Sequence, residues 1–309
     1  EISCSLVGSE MCIRDRMDGL PEHARVYGVE RTVCEPAGFE EFRIEESDST
    51  PGGVPVMLPD LAPCPECLEE MHDPSSRRYH YPFTNCTHCG PRYSIIETMP
   101  YDRAGTSMKG FRMCPECRRE YQDVEDRRFH AQPIGCPSCG PSVKVLFSDG
   151  SELGFGHGFD TPAAQAAWVL ADGLIVALLG VGGFQLLADA SSEAAVRRLR
   201  RLKERDAKPF AVMVPDVAAA ERLCRLSEEE RRLLASPAAP IVLARGRKDV
   251  DLAPSVCMFS RFVGIMLPSS PLHALLMDVW GKPLVVTSGN LSGEPLCVSV
   301  EEGLEKLGH

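Results

Sequence analysis

Four Cys-x-x-Cys pairs constrain this chain more than any other feature of its sequence. The pairs are Cys64/Cys67, Cys86/Cys89, Cys114/Cys117 and Cys136/Cys139. Two cysteines spaced in this way can direct both sulfurs at one metal ion, and structural zinc takes four such ligands in a tetrahedron. The spacing therefore predicts two structural zinc ions held by eight thiolates.

The cysteine pairs belong to an internal repeat. Residues 64–91 (the first unit) align without gaps on residues 114–141 (the second unit), and 13 of the 28 aligned positions are identical. A small loop-rich unit cannot bury enough apolar area to fold alone, so metal binding becomes folding free energy. We expect each unit to close on its own zinc ion. An interleaved arrangement, first pair with fourth and second with third, satisfies the same geometry.

The histidines and arginines of the two units are interpreted as structural. With eight thiolates available, no imidazole is needed as a ligand, which applies to His72, His80, His88 and His130. The Arg-Arg pairs at 77–78 and 127–128 resemble RNA contacts, yet residues 64–141 hold ten Lys+Arg against eleven Asp+Glu. This balance favours a solvated face of salt bridges.

The chain as a whole is acidic. Its formal net charge is −11 and its pI is about 5.3, which disfavours general nucleic-acid binding, because that binding depends on neutralising phosphates. The sequence contains no apolar run of about 18 residues, so it predicts no membrane span. Regularly paired cysteines are typical of metal sites in a reducing compartment, so we expect a cytoplasmic protein.

Downstream of about residue 155, strands and helices alternate, which predicts an α/β (α+β) fold around a largely buried twisted sheet. Strands are predicted at 174–180, 209–214, 240–245 and 283–289. Helices are predicted at 161–171, 191–205, 216–224, 227–235 and 271–280. Thr161-Pro162 supplies an N-cap and first turn, and Val196, Leu199 and Leu202 are expected to face the core.

Residues 59–141 resemble the double zinc-finger region of the HypF carbamoyltransferase family, because residues between the cysteines match as well. GGFQLLADA, RLKERDAKPFAVMV, GIMLPSSPLHALLM and LVVTSGNLSGEP resemble the YrdC-like domain that follows in that family. ARVYGVE and FEEFRIEES resemble the end of an acylphosphatase domain. The resemblance thus implies an acylphosphatase-like remnant at 17–48, a double zinc-finger module at 59–143 and a YrdC-like nucleotide-binding domain at 155–309. Residues 1–16 look foreign and are interpreted as a non-native tag.

The resemblance implies a reaction sequence within [NiFe]-hydrogenase maturation. Carbamoyl phosphate is hydrolysed to carbamate, and the YrdC-like domain joins carbamate to ATP, with magnesium, to give carbamoyl adenylate. The carbamoyl group then passes to the terminal cysteine of a HypE-type partner and becomes the cyanide ligand of the hydrogenase iron. The chain departs from the family pattern: the front of the acylphosphatase domain, the end of the YrdC-like domain and the transfer domain are not in the sequence.

Two short motifs are predicted to form the nucleotide site. Adenylation must neutralise charge as pyrophosphate leaves, which lysine and arginine do best. Lys203, Arg205 and Lys208 precede a strand and resemble the Lys-Arg-Pro motif of YrdC-like proteins. Thr287, Ser288 and Asn290 follow another strand, where α/β sheets place ligand loops, and resemble that group's Ser-Ala-Asn element. The residues of the chemical step itself stay unassigned, and Arg197, Arg198, Arg200 and Arg201 are interpreted as the outer face of a helix.

Two weaker signals lie near these motifs. Gly180–Gly183 follows a strand, but it lacks the spacing of a recognised phosphate loop. Gln185 stands where the family usually has His. His273, after MLPSSP, either lines the site or lies on the exposed face of a helix, and we favour the exposed face.

Two other functions are alternatives to the carbamoyltransferase interpretation. A threonylcarbamoyl-adenylate synthase of tRNA modification also has a YrdC-like core, although the plain YrdC group lacks a zinc module in front. A DnaJ-like zinc module for protein interaction would have CxxCxGxG repeats, which the CPEC pairs do not match.

Overall fold

A computed structural model describes residues 57–154 and 159–308. The interpretations of residues 1–16 and 17–48 lie outside the described residues. Within the described parts, a cysteine-rich region precedes a region built on one large sheet. The longest described helices have ten residues, about half the length that a membrane span needs.

Each cysteine-rich unit contains one short helix of eight residues, α1 (Pro65–His72) and α2 (Pro115–Gln122). Cys64 and Cys114 are their N-caps, and proline in the first turn fits because its missing N–H is unpaired there in any helix. Three short 3-10 turns connect the units, at Tyr93–Ile95, Arg103–Gly105 and Ser107–Gly110. The remaining backbone is loop, so metal ligation has to supply most of the local order.

A sheet of seven strands forms the second region, in the order β1-β2-β7-β3-β6-β5-β4. Its strands are β1 (Val176–Gly180), β2 (Gly183–Asp189), β3 (Ala211–Met213), β4 (Cys224–Arg225), β5 (Val242–Gly246), β6 (Phe262–Met266) and β7 (Leu284–Ser288). Only the β3–β6 pairing is parallel among the described strands, and the others are antiparallel. This mixed sheet agrees with the predicted α/β class.

Helices cover both faces of the sheet. They are α3 (Pro162–Ala171), α4 (Glu193–Leu202), α5 (Val217–Leu223), α6 (Glu228–Leu234), α7 (Pro254–Cys257), α8 (Pro271–Trp280) and α9 (Val300–Leu307). On one face, α4 to α7 bury side chains such as Val196, Leu199 and Leu234. On the other face, α3 and α8 pack through Leu170 and Leu276. Burying each such side chain contributes about 1.5–3 kcal/mol.

Local sequence signals explain where these helices begin. The Thr161 hydroxyl accepts from the Ala164 amide, which confirms the predicted cap of α3. Ser227 forms a reciprocal capping box with Glu230 at the start of α6. Strands β2, β4 and β6 were not predicted, and Cys224 of β4 was assigned to the preceding helix. Leu202 is 42% exposed at the last residue of α4. The inward orientation predicted for Leu202 is therefore wrong.

The first unit packs directly against the sheet region. Met71 on α1 is fully buried and lies in one cluster with Ala163, Ala274 and Leu275. Beside this cluster, the His72 imidazole contacts the Asp278 carboxylate at 2.7 Å. Helix α1 is thereby fixed on α8, next to the end of α3.

Candidate functional site

The eight cysteines form two separate groups of four. Cys64, Cys67, Cys86 and Cys89 make the first group, and Cys114, Cys117, Cys136 and Cys139 make the second. Within each group all sulfurs lie within 4.8 Å of one another. The structure thus groups the pairs sequentially, one site per unit, as expected, and does not interleave them.

The sulfur spacing fits zinc closely. A tetrahedron with zinc–sulfur bonds of about 2.3 Å has sulfur–sulfur edges of about 3.8 Å. The Cys64–Cys86 and Cys86–Cys89 sulfurs are 3.7 and 3.8 Å apart, and Cys114–Cys136 is 3.8 Å. These thiols are free cysteines rather than disulfides. The donor set and its geometry are those of closed structural zinc sites, with no position left for a reacting water.

The backbone presents the two cysteine pairs of each unit differently. The first pair lies at a helix start, where the Cys117 amide points at the Cys114 sulfur. The second pair lies in a knuckle turn that ends at a glycine. Gly90 has a positive φ of 93°, and a Cβ there would lie 2.7 Å from the Asn85 side chain. No histidine belongs to either group within the described ranges 57–154 and 159–308.

Arginines of each unit contact sulfurs of the other unit. A guanidinium nitrogen of Arg127 lies 3.0 Å from the Cys67 sulfur, and one of Arg77 lies 3.4 Å from the Cys117 sulfur. Arg–thiolate contacts are charge-assisted and offset part of the negative charge of a four-thiolate site. The two metal sites are thus joined through reciprocal contacts.

Two glutamates, one from each unit, form ion pairs with these arginines and their neighbours. Glu70 accepts from Arg78, Arg127 and Arg128, while Glu120 accepts from Arg77 and Arg78. Burial alone would raise the pKa of the Glu120 carboxyl, but hydrogen bonds from Arg78 and Arg77 hold that pKa at about 2.

The predicted solvated face of arginines is wrong in one respect. Arg78 and Arg128 are 1% and 4% exposed, and each donates to a carbonyl of the other unit, Gly135 and Asn85 respectively. Charge balance predicted the salt bridges but carries no information on burial. Glu70 and Glu120 were overlooked as the partners, although the repeat places both at equivalent positions.

Lys203, the residue that caps the C-terminus of α4, donates hydrogen bonds to the loop that follows β7. The Lys203 ammonium donates to the Ser288 carbonyl at 2.5 Å and to the Asn290 carbonyl and side chain at 2.9 and 3.0 Å. The Ser288 hydroxyl donates to the same Asn290 oxygen at 2.6 Å. Burial, and then the nearby Arg205, lower the pKa of Lys203 to about 8. Two motifs distant in sequence therefore meet in one place.

Close backbone packing fixes the same loop. The Gly289 amide donates to the Phe184 carbonyl at 2.7 Å, and a Cβ on Gly289 would lie 2.4 Å from the Phe184 Cβ. Thr287 is buried at the end of β7, whereas Ser288 is exposed. Only glycine permits this approach of β7's end to β2.

The other predicted cationic residues take different positions. Arg205 donates to the carbonyls of Lys208 and Pro209 and lies over the Phe210 ring. Lys208 is exposed next to these contacts. These residues follow α4 and flank the entry to β3.

Helix α4 carries one arginine that faces inward. Arg200 is 8% exposed and donates to carbonyls of Ser255 and Arg205, so its place on the outer face is a wrong interpretation. Arg197, Arg198 and Arg201 are exposed, as predicted.

The glycine run Gly180–Gly183 forms the hairpin between β1 and β2, so it is a turn between antiparallel strands. It lines a cavity of about 650 Å³ together with Tyr93, Ser94 and Thr98 from the cysteine-rich region. A phosphate loop of the strand–helix type is not what this segment forms.

His273 is buried rather than exposed, which corrects the prediction. It is 4% exposed, and its Nε2 lies 2.7 Å from the Gln185 side-chain oxygen. Helix α8 begins by packing on the sheet, so its first turn faces β2. Gln185 and His273 each attracted attention separately in the sequence, but no local pattern indicated that they are in contact.

Known proteins resemble both regions of the chain. The HypF finger family matches residues 64–96 and 113–146, and the Sua5/YciO/YrdC family, described as telomere recombination, matches residues 168–309. The carbamoyltransferase HypF of Rhodobacter capsulatus is 48% identical over 294 residues, covering 94% of this chain and 38% of that protein. The chain belongs to the HypF carbamoyltransferase family.

Further HypF proteins agree. The HypF of Synechocystis is 47% identical over 87% of this chain and 35% of its own length. A solved full-length HypF, in its phosphate- and nucleotide-bound form, gives a TM-score of 0.88 at 45% identity and covers 96% of this chain and 38% of that chain. This chain therefore spans little more than a third of the HypF proteins it matches. Mouse threonylcarbamoyl-AMP synthase is 36% identical, but only over 46% of this chain and 51% of its own length.

Proposed function

We propose that this chain forms the carbamate-activating part of a HypF-type carbamoyltransferase. In the proposed step, an oxygen of carbamate attacks the α-phosphorus of ATP, an oxygen–phosphorus bond forms, the α–β phosphoanhydride bond breaks, and pyrophosphate leaves. Residues 155–309 carry this chemistry, residues 59–143 form the double zinc-finger module, and residues 17–48 belong to an acylphosphatase-like unit. The carbamate comes from carbamoyl phosphate, and the acceptor is the terminal cysteine of a HypE-type protein.

The observation that supports the proposal most is the junction of Lys203 with the loop that contains Ser288 and Asn290. All three N–H donors of the lysine are directed at this loop, which fixes its backbone in one orientation. The exposed Ser288 hydroxyl stands next to a positive charge, as a site for a phosphate or a carbamoyl oxygen requires. Arg205 and Lys208, which flank the entry to the neighbouring strand β3, add charge for the departing pyrophosphate.

Zinc has a structural role in this proposal. The four-thiolate sites hold the cysteine-rich region together, and that region supports α8 through α1. We place the protein in the reducing cytoplasm, where free thiolates persist, and we propose its place in the maturation of a [NiFe] hydrogenase.

The test is isotope exchange between pyrophosphate and ATP. We expect the chain to catalyse exchange when ammonium carbamate and magnesium are present, and Asn290→Ala to abolish nucleotide binding with two zinc ions retained. Lys208→Ala should also abolish nucleotide binding with zinc retained, because it removes a positive charge from the phosphate site. Unchanged nucleotide binding in both variants would remove these residues from the site.

The second candidate is a threonylcarbamoyl-AMP synthase, which the match to the mouse enzyme of that name supports over the sheet region. Exchange that depends on threonine and bicarbonate, and not on carbamate, would favour it. The paired zinc units favour the carbamoyltransferase.

A further inference from the structure

Three side chains form a connected line that begins at Ser269, before α8, and ends on β2. The Ser269 hydroxyl lies 3.2 Å from Nδ1 of His273, and Nε2 of the same ring lies 2.7 Å from the side-chain oxygen of Gln185. The histidine is almost fully buried between α8 and the sheet. A buried imidazole with both nitrogens engaged has one fixed orientation.

The direction of the hydrogen bonds follows from the chemistry of the groups. Burial lowers the pKa of His273 to about 4, so the ring is neutral at physiological pH and carries one N–H. An amide oxygen only accepts, so the hydrogen lies on Nε2 and donates to Gln185. Nδ1 then accepts from the Ser269 hydroxyl. The line therefore runs in one direction, from Ser269 through His273 to Gln185.

This arrangement leaves the amide nitrogen of Gln185 free to donate. Its oxygen is held by His273, so both N–H bonds point away from the ring. Among residues 57–154 and 159–308, no hydrogen bond is formed by this nitrogen, and it is not among the buried unpaired polar atoms. Gln185 is half-buried, so this fixed amide donor is available to a ligand.

Gln185 lies directly beside the proposed nucleotide loop. In the antiparallel β2–β7 pairing, Gln185 is the register partner of Ser288. Side chains of such partners stand on the same face, about 4.5–5.5 Å apart at Cβ. Ser288 in turn contacts Asn290, which accepts from Lys203. One neutral donor and one cationic group therefore border the same small space.

We propose that Gln185 binds an oxygen of carbamate through its amide N–H groups, and that His273 is a positioning residue that fixes this amide. The inference rests on the proposed function and names the contact that recognises the small substrate. A neutral donor suits a planar carboxylate-like anion that must remain nucleophilic, because a full positive charge would hold its oxygen more tightly. A hydrogen bond to a charged group contributes about 1.5–3 kcal/mol.

Kinetics of pyrophosphate–ATP exchange test the two roles. Gln185→Met keeps the shape and removes the donor, so we expect the KM for carbamate to rise about 10- to 100-fold with the KM for ATP unchanged. Gln185→Glu replaces the donor by an anion and should lose carbamate use altogether. The matched control is Gln165→Met, at a buried glutamine of α3 whose side-chain amide donates to the Leu153 and Gly154 carbonyls. It should leave both constants unchanged.

His273 is tested by loss and rescue. His273→Ala should raise the KM for carbamate by about tenfold, and His273→Gln should restore it, because its amide N–H reaches the position of Nε2. A purely structural role would lower the midpoint of thermal unfolding equally in both variants without changing the ratio of the two KM values. Zinc content and circular dichroism verify that each variant is folded.

A second measurement needs no turnover. The side-chain ¹⁵N–¹H signals of Gln185, assigned by their loss in Gln185→Met, should shift when ammonium carbamate is added with a non-hydrolysable ATP analogue. If these signals do not move, or if Gln185→Met exchanges like the wild type, the inference is wrong. Absence of carbamate-dependent exchange in the wild type, with the signals still shifting, would instead refute the proposed function alone.

Discussion

The two cysteine-rich units share one sequence plan but differ in their surroundings. All four cysteines of the first unit are buried, whereas Cys114 and Cys139 of the second are partly exposed. Met71 of the first unit is fully buried against α8, and its counterpart Tyr121 instead directs its hydroxyl at Gln132 of its own unit. The duplicated ligands and arginines stayed alike, while the outer face of the helix diverged. Metal ligation therefore fixes the unit, and a few surface positions decide what the unit packs against.

Removing the zinc ions should have the largest effect, and the effect should differ between the two units. We expect a chelator to withdraw zinc from the second unit first, because its sulfurs are more accessible, and full removal to unfold residues 64–141. The loss is on the order of 10 kcal/mol per site. Zinc release recorded with a chromogenic chelator, alongside circular dichroism, measures both. Release of both ions in a single phase would show that exposure of the sulfurs does not control it.

The two glutamates offer the next largest effect. Glu70 serves three arginines and Glu120 two, so Glu70→Gln should destabilise the zinc-loaded protein more than Glu120→Gln. Leaving a buried guanidinium without its partner costs about 3–5 kcal/mol. Urea unfolding at neutral pH gives both values. Equal losses would mean that the number of partners is irrelevant to the two positions.

Truncation at the diverged helix position sharpens the difference between the units. Met71→Ala should cost about 2–5 kcal/mol and increase amide hydrogen exchange in α1 and α8. Tyr121→Ala, at the matching position, should increase exchange only within the second unit. An increase in α8 from the Tyr121 variant would contradict the packing difference.

The smallest expected effect concerns His72, whose counterpart in the second unit is Gln122. The hydrogen bond to Asp278 raises the pKa of His72, so the folded state gains stability below the unfolded pKa of about 6.5 and loses that gain as pH rises through the folded value. His72→Gln should cost about 0.2–1 kcal/mol near pH 6, because both side chains are nearly half exposed, and nothing near pH 9. Thermal unfolding at the two values measures this. A difference that grows with pH would exclude the ion pair.

The ligand set of the metal sites was predictable from sequence because ligation depends on contiguous spacing. The same holds for helices with strong caps, such as α3 and α6. By contrast, Arg78, Arg200 and His273 were placed outside and lie inside. A polar residue can be buried when another element supplies its hydrogen-bond partner, as Glu120 does for Arg78 and Gln185 for His273. The local sequence around the buried residue does not reveal that partner. β6 was missed because Phe262–Met266 is only five residues long, and an apolar run of that length does not distinguish a strand from part of a helix.

The meeting of Lys203 with Ser288 and Asn290 combines both situations. Each motif could be singled out as a candidate because the chain resembles the YrdC-like group. The three-way contact of the ammonium, however, follows from the relative position of α4 and β7. The resemblance identified the residues, whereas the fold brings the lysine into hydrogen-bonding contact with the loop.

The reciprocal contact of Arg127 with Cys67 and of Arg77 with Cys117 has a consequence for the stability of each unit. Each unit supplies arginines that offset the thiolate charge of the other unit's metal site. A protein with a single unit would have an arginine without its thiolate partner and a four-thiolate site without the arginine that offsets its charge. Deletion of either unit should therefore destabilise the metal site of the unit that remains.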